Sequence, residues 1–447
     1  VVDPAAVRRY VDADPLAPFG FSGWVGPEPH GAGLANSGTR RDPLIADRVV
    51  AWLEDRYARR RAGDPDALRP FLLVASFVNP HDIVLFPMWV RRNPLQEPSP
   101  LDPPPVPAAP TAEEDLRTKP AAQIAFRESY YSGYGPAAAI QRTYDGNAQR
   151  YRDLYYRLHA EVDAPLDRVR RAVTDGGSEH AVLVRTADHG DLLGAHGGLH
   201  QKWFNLYDEA TRVPFVIARI GERATTSRVV DSPTSHVDLV PTLLGAAGID
   251  VEATAAVLAE SFSEVHPLPG RNLMPVVDGA APDEHRAVYM MTRDNMLEGD
   301  TMASGLGRRF KQTVNPPAPL RIRIPAHVSS NFEGLVVRVD GRLWKLVRTF
   351  DDPATWTEPG VRHLAANGPG GEAYRTSPLD DQWELYDLTA DPIEAVNRWA
   401  DPDLDELRRH LRTQLKQVRT EAVPERHNPW PYASRRPPTR SRRRFFG

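Results

Sequence analysis

Residues 181–190 of this 447-residue chain read A-V-L-V-R-T-A-D-H-G, and this stretch decides the fold. A short apolar run that ends in turn-forming residues predicts a buried strand over residues 181–186. In open α/β sheets, ligands bind outside the carboxyl ends of the strands. Asp188 and His189 follow directly on that end, and Gly190 relieves the turn. The stretch therefore predicts a ligand-binding edge, although an aspartate that caps a helix and a turn histidine would give the same pattern.

A carboxylate next to an imidazole is a suitable pair of ligands for a hard or borderline divalent cation. Asp188 and His189 form such a pair, but a complete site needs at least one or two further ligands from elsewhere in the chain. His196, His200 and Lys202 follow shortly afterwards. Because a lysine this close to a metal can bind the anionic part of a substrate, the segment predicts a metal pair with an anion-binding amine beside it.

A second apolar run, residues 71–77 (F-L-L-V-A-S-F), ends in Val-Asn-Pro and is followed by His81. Runs of this kind are typical of buried parallel strands. If this strand and that of residues 181–186 lie parallel in one sheet, His81 would face the same crevice as Asp188. Taken singly, His81 fits a capped turn better than a site, so its interpretation depends on the two strand ends converging.

Helices are predicted to alternate with these strands. Apolar residues spaced by three and four predict a helix over residues 147–173. Ser235 as N-cap and Gly248 beyond the end predict another over residues 237–247. A third strand is predicted over residues 213–218, whose proline indicates a strand start or a sheet edge. This alternation of strands and helices is typical of a layered α/β domain.

Proline accounts for 43 residues and is unevenly spread, with nine prolines between residues 87 and 110. Proline fixes φ and removes an amide donor, so this stretch is predicted to be an extended surface loop. A spacer is the simplest interpretation, and a lid or binding wall is the alternative for a long ordered loop. We expect loops such as 87–120 and 290–330 to determine the choice of substrate.

After about residue 280 the pattern changes to an α+β type. Residues 334–350 form two alternating runs around Asp340-Gly341, which is a strong hairpin signal. A further strand is predicted over residues 383–388, and an amphipathic, arginine-rich helix over residues 404–418. These patterns predict three parts: an α/β domain over residues 1–280, a C-terminal α+β subdomain over residues 281–423, and a basic, disordered tail over residues 424–447.

The composition excludes several classes of protein. Hydrophobic residues make up 41% of the chain and charged residues 26%, which is enough for a folded core. The formal net charge of −4 gives no broad positive field for nucleic acid. The absence of cysteine excludes disulfides, zinc–thiolate sites, iron–sulfur clusters and a cysteine nucleophile. No apolar run reaches the roughly 18 residues of a membrane span. We therefore expect neither nucleic acid nor a membrane as partner, and a cytoplasmic location by default.

Residues 186–197 (T-A-D-H-G-D-L-L-G-A-H-G) and 201–215 (Q-K-W-F-N-L-Y-D-E-A-T-R-V-P-F) closely resemble the sulfatase family of the alkaline phosphatase superfamily. Further blocks resemble the family in the same order along the chain. They are S-F-V-N-P-H-D at 76–82, Y-Y-R-L-H-A-E-V-D at 155–163, S-H-V-D-L-V-P-T-L-L-G-A-A-G-I at 235–249, P-G-R-N-L-M-P at 269–275 and E-L-Y-D-L-T-A-D-P at 384–392. Each block is weak alone, but their shared order makes chance an inadequate explanation.

The resemblance implies an α/β fold with an alkaline-phosphatase-like mixed sheet flanked by helices, and a smaller C-terminal antiparallel sheet packed by a helix. It implies that Asp188 and His189 hold a divalent metal, calcium first, with manganese or magnesium as alternatives. Lys202 matches the lysine that contacts the sulfate or phosphate group. His81 matches the histidine beside the leaving group, as a general acid or oxyanion-stabilising group. These roles suit ester hydrolysis, which needs charge neutralisation and a proton for the leaving oxygen.

The departures from the family are equally informative. Its members begin with a strand that ends in two aspartates, followed by a Cys-x-Pro-x-Arg block whose cysteine becomes the formylglycine nucleophile. This chain has no cysteine and no Ser-x-Pro-x-Arg or Thr-x-Pro-x-Arg block, so formylglycine cannot form from cysteine here. Asp351-Asp352 is interpreted as a loop feature. We therefore expect a truncated chain that lacks the N-terminal third of a sulfatase, which a missing segment, a partner chain or a homo-oligomer would have to complement.

Three functions remain open at this point. The first is a sulfatase-like hydrolase of small-molecule sulfate esters, inactive as this truncated chain. The second is a hydrolase of phosphodiesters or phosphonate monoesters on the same fold. The third is a non-catalytic sulfatase-like binding protein. The expected partner is in each case a small-molecule sulfate or phosphate ester. Truncation would also expose the strand edges of residues 71–77 or 181–186, which favours aggregation.

Overall fold

The computed structural model describes residues 4–26, 37–92, 98–130, 137–176, 180–221, 226–262, 265–293, 328–368 and 371–423. The contacts within the chain divide it into two compact units. The first unit comprises Val1–Ala109, Ala139–Ala187 and Pro214–Ser227, and the second comprises Pro110–Ala138, Asp188–Val213 and Arg228–Gly447. This division follows contacts rather than sequence texture, and the domain boundary at residue 280 stays a prediction.

Helices and strands are distributed over both units. The helical segments are α1 Pro4–Ala13, α2 Gly38–Arg61, α3 Pro65–Leu68, α4 Phe86–Arg92, α5 Ala121–Tyr130, α6 Ala137–Asp145, α7 Ala148–Asp175, α8 Ala195–Gly198, α9 Asp208–Thr211, α10 Leu239–Ala246, α11 Val251–Ala259, α12 Met274–Val277 and α13 Asp405–Ala422. The strands are β1 His180–Thr186, β2 Phe215–Gly221, β3 Val288–Arg293, β4 Asn331–Val339, β5 Arg342–Phe350, β6 His363–Gly368, β7 Gly371–Arg375 and β8 Gln382–Asp387. In the described chain they form three antiparallel sheets, β1–β2, β3–β4–β5–β8 and β6–β7.

Helix α7 confirms the helix predicted over residues 147–173. Its buried residues recur at spacings of three and four, as an amphipathic helix requires, and are Tyr151, Leu154, Leu158, Val162 and Pro165. Asn147 stands at its N-cap and Gly176 at its C-cap. Helix α2 packs beside it, with Val49, Leu53 and Tyr57 in one cluster that also takes in Val169. These two long helices form the core of the first unit.

Strands β1 and β2 confirm the runs predicted over residues 181–186 and 213–218. They pair antiparallel, with Val184 opposite Ile217. Parallel pairing was expected of β1 with residues 71–77, not of β1 with β2, so this antiparallel pair agrees with the predicted mixed sheet. An apolar run indicates that a strand is buried, but it carries no information on the direction of its neighbour, which depends on the route of the intervening chain.

Residues 71–77 were predicted to form a buried parallel strand, and this prediction is wrong, because the structure assigns them no strand. Leu73 and Ala75 pack against the apolar cluster of α2. Leu72 and Val74, between and beside them, are 55% and 64% exposed. The alternation shows an extended segment with one face on a helix. A strand also needs a neighbour for its backbone hydrogen bonds, and the described chain pairs none with this segment.

The C-terminal part of the second unit confirms the predicted antiparallel sheet and helix. β4 and β5 form the hairpin predicted around Asp340-Gly341, two residues with φ of 48° and 76° that suit a tight hairpin turn. β8 adds the strand predicted over residues 383–388, and α13 the helix predicted over residues 404–418. The sheet and α13 share one apolar core, made of Leu335, Val337, Trp344, Leu346, Leu385, Leu411 and Leu415.

Helix α10 confirms the prediction of Ser235 as an N-terminal cap. Ser235 and Asp238 form a capping box around a short 3-10 turn, which runs into α10. Asp238 is fully buried. Its carboxylate also accepts hydrogen bonds from both terminal nitrogens of Arg286, at 2.7 and 2.5 Å, and from the amide of Arg271, at 2.8 Å. One carboxylate thus joins the start of a helix to two later segments of the second unit.

Of the remaining predictions, those for the proline-rich stretch and for Asp351-Asp352 can be compared with the described residues. The proline-rich stretch 87–110 begins inside helix α4, and residues 93–97 lie outside the described residues. Residues 98–110 are irregular as predicted, and the Val106 amide donates to Asp153 at 2.8 Å. Asp351-Asp352 lies in a loop, where Asp352 caps the 3-10 turn Pro353–Thr355. The tail at 424–447 lies outside the described residues, as does most of the loop at 290–330.

Among the described helices, none combines the length and the apolar character that a membrane span requires. The consecutive helical segments His236–Ala246 and Val251–Ala259 meet both requirements only when they are taken together, and the pair is bent by 99°.

The two helix caps of α10 and α11 should differ in their contribution to stability. Asp238→Asn leaves a buried guanidinium without its charged partner and should lower the free energy of unfolding by about 3–5 kcal/mol. Asp250→Ala removes a cap that accepts only the Ala253 amide at the surface and should cost about 1 kcal/mol. Urea unfolding of both variants tests this, and equal losses would show that the Asp238 pair is solvated.

Candidate functional site

The segment that follows β1 carries two of the predicted metal ligands. The side chain of Asp188 is 84% exposed, and its Oδ2 lies 3.3 Å from Nε2 of His189. His189 Nδ1 lies 2.8 Å from the carbonyl oxygen of Gly190. Donation from Nδ1 to that carbonyl leaves the lone pair on Nε2, the usual way in which a metal-binding tautomer is fixed. The two atoms that face each other are thus a carboxylate oxygen and an imidazole nitrogen, both suited to one cation.

Lys202 interacts electrostatically with Asp188 and with Asp191, a carboxylate in the same segment. Its side chain is partly buried, and burial lowers the pKa of its amine, while the charges of Asp188 and Asp191 oppose that shift. Its Nζ lies 6.0 Å from the centre of the Trp203 ring. Asp188, His189 and Lys202 thus lie in the segment after β1, where the charge of Asp188 acts on the lysine amine. Their joint role in a site stays a prediction.

Asp191 is a residue of this site that the sequence analysis missed. Its Oδ1 accepts the amide of Leu193 at 2.9 Å and that of Gln201 at 3.2 Å. Burial raises the pKa of its carboxyl group, against these hydrogen bonds and the charges of Lys202 and His189. The only signal for it is the fifth letter of A-D-H-G-D, which is indistinguishable from an ordinary polar turn residue until its burial is known.

Backbone hydrogen bonds close residues 191–201 into a loop, here called the site loop. The Leu192 amide donates to the Gln201 carbonyl and the Gly194 amide to the Leu199 carbonyl, both at 2.8 Å. Within and just after the site loop, four residues other than glycine have φ between 47° and 61°: Leu193, His196, Gln201 and Phe204. Such conformations cost about 1–3 kcal/mol each and persist only where the surroundings hold them. The site loop is therefore a strained segment with a fixed shape.

His196 and His200, which the sequence placed near the site, are buried to different degrees: His196 fully and His200 partly. The ring of His196 is fully buried between Glu114 and Glu209. Burial lowers the pKa of His200 to about 4, so its ring is neutral at physiological pH. The ring of His196 is therefore closed to solvent, and in His200 the Nδ1 atom is shielded from it.

His81 belongs to the first unit, and its predicted place beside the leaving group stays a prediction. It is exposed and begins a 3-10 turn, with its amide donating to the Val78 carbonyl at 2.9 Å. Two buried carboxylates fix this turn to the start of α2. Asp42 accepts the amides of Val78 and Asn79, and Asp82 accepts the amide of Gly38 at 2.6 Å. Burial raises the pKa of Asp42 to about 6.

The predicted metal ligands are not joined by a third in the part of the chain that the structure describes. No three His, Asp or Glu side chains there form a group that could hold a metal ion. The role of Asp188 and His189 as metal ligands therefore stays a prediction.

Comparisons with known proteins identify a family. The profile of the family described as "Sulfatase" matches residues 18–249. The "Uncharacterized sulfatase YidJ" of Escherichia coli (strain K12) is 30% identical over 207 residues, 46% of this chain and 36% of that protein. The choline-sulfatase of Rhizobium meliloti (strain 1021) is 29% identical over 262 residues, 57% of this chain and 44% of that protein. The chain therefore spans about two fifths of the length of these curated relatives.

A solved structure shows the same fold. The structure of BT1596, a 2-O GAG sulfatase, superposes with a TM-score of 0.53 at 19% sequence identity, over 89% of this chain and 66% of that one. At this identity the similarity shows the fold alone. Together with the helices and antiparallel sheets described above, it confirms the predicted alkaline-phosphatase-like α/β fold.

The buried, neutral ring of His200 should make stability depend on pH. Its pKa is about 4 in the folded chain, against about 6.5 when unfolded. Its contribution is complete above pH 6.5 and is lost as the pH falls toward 4, because only the unfolded chain takes up the proton. The loss attributable to His200 should approach about 3 kcal/mol.

Urea unfolding at about pH 7 and about pH 4.5 measures this loss. His200→Gln should remove its share of the pH dependence, whereas the exposed control His285→Gln should not. An unchanged pH dependence in His200→Gln would contradict the neutral, buried ring.

Proposed function

Because the chain belongs to the sulfatase family, we propose that it acts on small-molecule sulfate esters, with Lys202 binding the anionic group and with Asp188 and His189 holding a divalent cation. The observation that supports this best is that a partly buried amine and an exposed carboxylate–imidazole pair flank the strained site loop, just after a strand. A positive point charge and a cation site side by side suit a transferring group that gains negative charge.

The residues present suit a divalent cation at two positions. Asp188 Oδ2 and His189 Nε2 are the donors, and the Gly190 carbonyl orients the ring. Bound there, the cation would neutralise charge on the sulfate group as a Lewis acid. Calcium is the family's usual ion, whereas the imidazole nitrogen is an argument for manganese, since calcium takes oxygen ligands.

His81 is the proposed proton donor to the leaving oxygen, a role for which its exposed ring is accessible. The nucleophile is a different matter. The sequence contains no cysteine and no Ser-x-Pro-x-Arg or Thr-x-Pro-x-Arg block. We therefore propose that the 447-residue chain by itself binds the anionic group and does not turn it over.

A second candidate function follows from the same observation. A sulfatase-like protein without a nucleophile can serve as a binding protein for sulfate or phosphate esters, which needs Lys202 but not His81. The two candidates make the same prediction for binding and differ in turnover, so one set of assays separates them.

The chain should bind inorganic sulfate weakly, and Lys202→Met should reduce that affinity at least about tenfold, since it removes one desolvated charge pair. Calorimetry at fixed ionic strength measures this, with the exposed Lys416→Met as the control. Sulfate affinity that does not change in Lys202→Met would overturn the proposed role of the amine.

Turnover of an aryl sulfate should stay at the buffer background, because no nucleophile has been identified in this sequence. Release of the phenol over many turnovers, abolished in Lys202→Met, would show instead that the chain is a complete enzyme. The same assay with an aryl phosphonate monoester and a phosphodiester tests the alternative substrates on the same protein.

Divalent cations should bind weakly, because two donors fall short of the six to eight oxygens that calcium takes. Calorimetric titration with calcium and with manganese measures this in the wild type, in Asp188→Ala and in the control Asp55→Ala, whose side chain is 66% exposed. Weak binding lost only in Asp188→Ala supports the pair. Tight binding lost in Asp188→Ala would show that further ligands converge on it.

A further inference from the structure

His196 is held in a way that only its protonated form can satisfy. Its Nδ1 lies 2.9 Å from Glu114 Oε2 and its Nε2 lies 3.3 Å from Glu209 Oε2. Ionised carboxylates only accept hydrogen bonds, so both ring nitrogens must donate, and a neutral imidazole carries one N–H. The ring also stacks on Tyr207 at 3.6 Å between centres. Glu114, His196 and Glu209 are called the histidine clasp below.

The charges around the clasp favour the imidazolium. Glu114 also pairs with Lys119 at 2.9 Å, and Glu209 interacts with the charge of Lys345. The ionisable groups that face this region from the neighbouring elements are Lys119, Arg127, Tyr207, Asp208, Lys345, Glu384, Tyr386 and Glu394. The pKa of His196 is raised: burial lowers it, but the hydrogen bonds and charges of the two glutamates outweigh burial.

The backbone at His196 is strained, so the contacts of its ring must offset a cost in free energy. Its φ of 48° lies in the left-handed region, where glycine is free of strain and a histidine is not. Gly197 follows with φ of 68°, so glycine is used at the adjacent position. A side chain at 196 therefore costs about 1–3 kcal/mol of strain, which the contacts of its ring must offset.

The clasp reaches Lys202 through the site loop. The amide of His196 donates to Thr111 Oγ1 at 3.1 Å and that of Gly197 to the Thr111 carbonyl at 2.9 Å, so the tip of the loop is fixed. At its base, Asp191 and Leu192 bind Gln201, the residue before Lys202. Between tip and base the loop is closed by the hydrogen bond from the Gly194 amide to the Leu199 carbonyl.

We propose that His196 is a positioning residue for Lys202: while both ring nitrogens are protonated, the histidine clasp holds the site loop in the strained shape that orients the lysine amine. Loss of a proton turns one nitrogen into an acceptor facing a carboxylate. The ring then no longer holds the tip of the loop, and only the two amide hydrogen bonds to Thr111 remain. This inference rests on the proposed function only in taking Lys202 as the anion-binding group.

The direction of the pH effect follows from the charge. Since the pKa of His196 is higher when folded than its ordinary 6.5, the clasp is complete below pH 6.5. It is lost as the pH rises through the raised folded value. Lys202 should therefore be held at neutral pH and more mobile in alkali.

The experiment measures the chemical reactivity of Lys202, which requires neither ligand nor turnover. The intact chain is labelled with trace acetic anhydride over a range of pH, and peptide mass spectrometry gives the labelling of Lys202 relative to the exposed Lys416 of α13. The wild type should show a several-fold step in this ratio, at the pH where histidine NMR shows the His196 ring losing its proton. His196→Gln should lack the step.

Two further variants make the result specific. Glu209→Gln keeps an acceptor for the ring but removes a charge, so the step should move to lower pH without disappearing. Glu113→Gln, an exposed neighbour of the clasp, should leave it in place. If His196→Gln does not fold, Glu209→Gln decides alone. A wild type without a step, or a step that Glu209→Gln leaves unmoved, overturns the proposal.

Inorganic sulfate added below the step separates the two proposals. Protection of Lys202 by sulfate supports anion binding whatever the pH profile shows. A step without protection leaves the histidine clasp established and the anion-binding role rejected, and protection without a step gives the reverse.

Discussion

One buried lysine joins the candidate site to the C-terminal sheet. The amine of Lys345, on β5, has no exposed surface and lies 2.5 Å from Asp208 and 2.8 Å from Glu394. It also donates to the carbonyl of Leu206 at 3.0 Å. Burial raises the pKa of Glu394 to about 7, and the ammonium of Lys345 opposes that rise. Breaking one member leaves the others as uncompensated buried charge, so the segment after β1 cannot leave the sheet without a large loss of stability.

The sequence predicted what is encoded locally. The hairpin of β4 and β5, helix α7 and the cap at Ser235 each depend on residues close together in the chain, and all three are confirmed. Whether residues 71–77 form a strand depends on distant neighbours, and the prediction of a strand there is wrong for the described chain. Lys345 shows the same limit, since its contact with Asp208 joins residues 137 positions apart and the alternation around it is that of an ordinary strand.

The candidate site divides along the same line. Asp188, His189 and Lys202 were predicted as site residues because they share one short segment whose sequence also resembles a family block. Asp191 and the clasp residue His196 were not recognised, since their roles follow from burial and from partners elsewhere in the second unit. Sequence patterns identify groups that face a ligand more readily than the interior groups that hold them in place.

The electrostatics of the site link its two proposed ligands. Lys202 lies among carboxylates, and both Asp188 and Asp191 favour its charged form. One ammonium beside two carboxylates gives a region without net positive charge, which is a poor site for a dianion. A cation on Asp188 and His189 would reverse that balance by neutralising the exposed carboxylate, leaving Lys202 free to face the substrate. Cation and anion should therefore each raise the affinity of the other, as binding linkage requires. On this reasoning the lysine and the metal pair are two halves of one anion site.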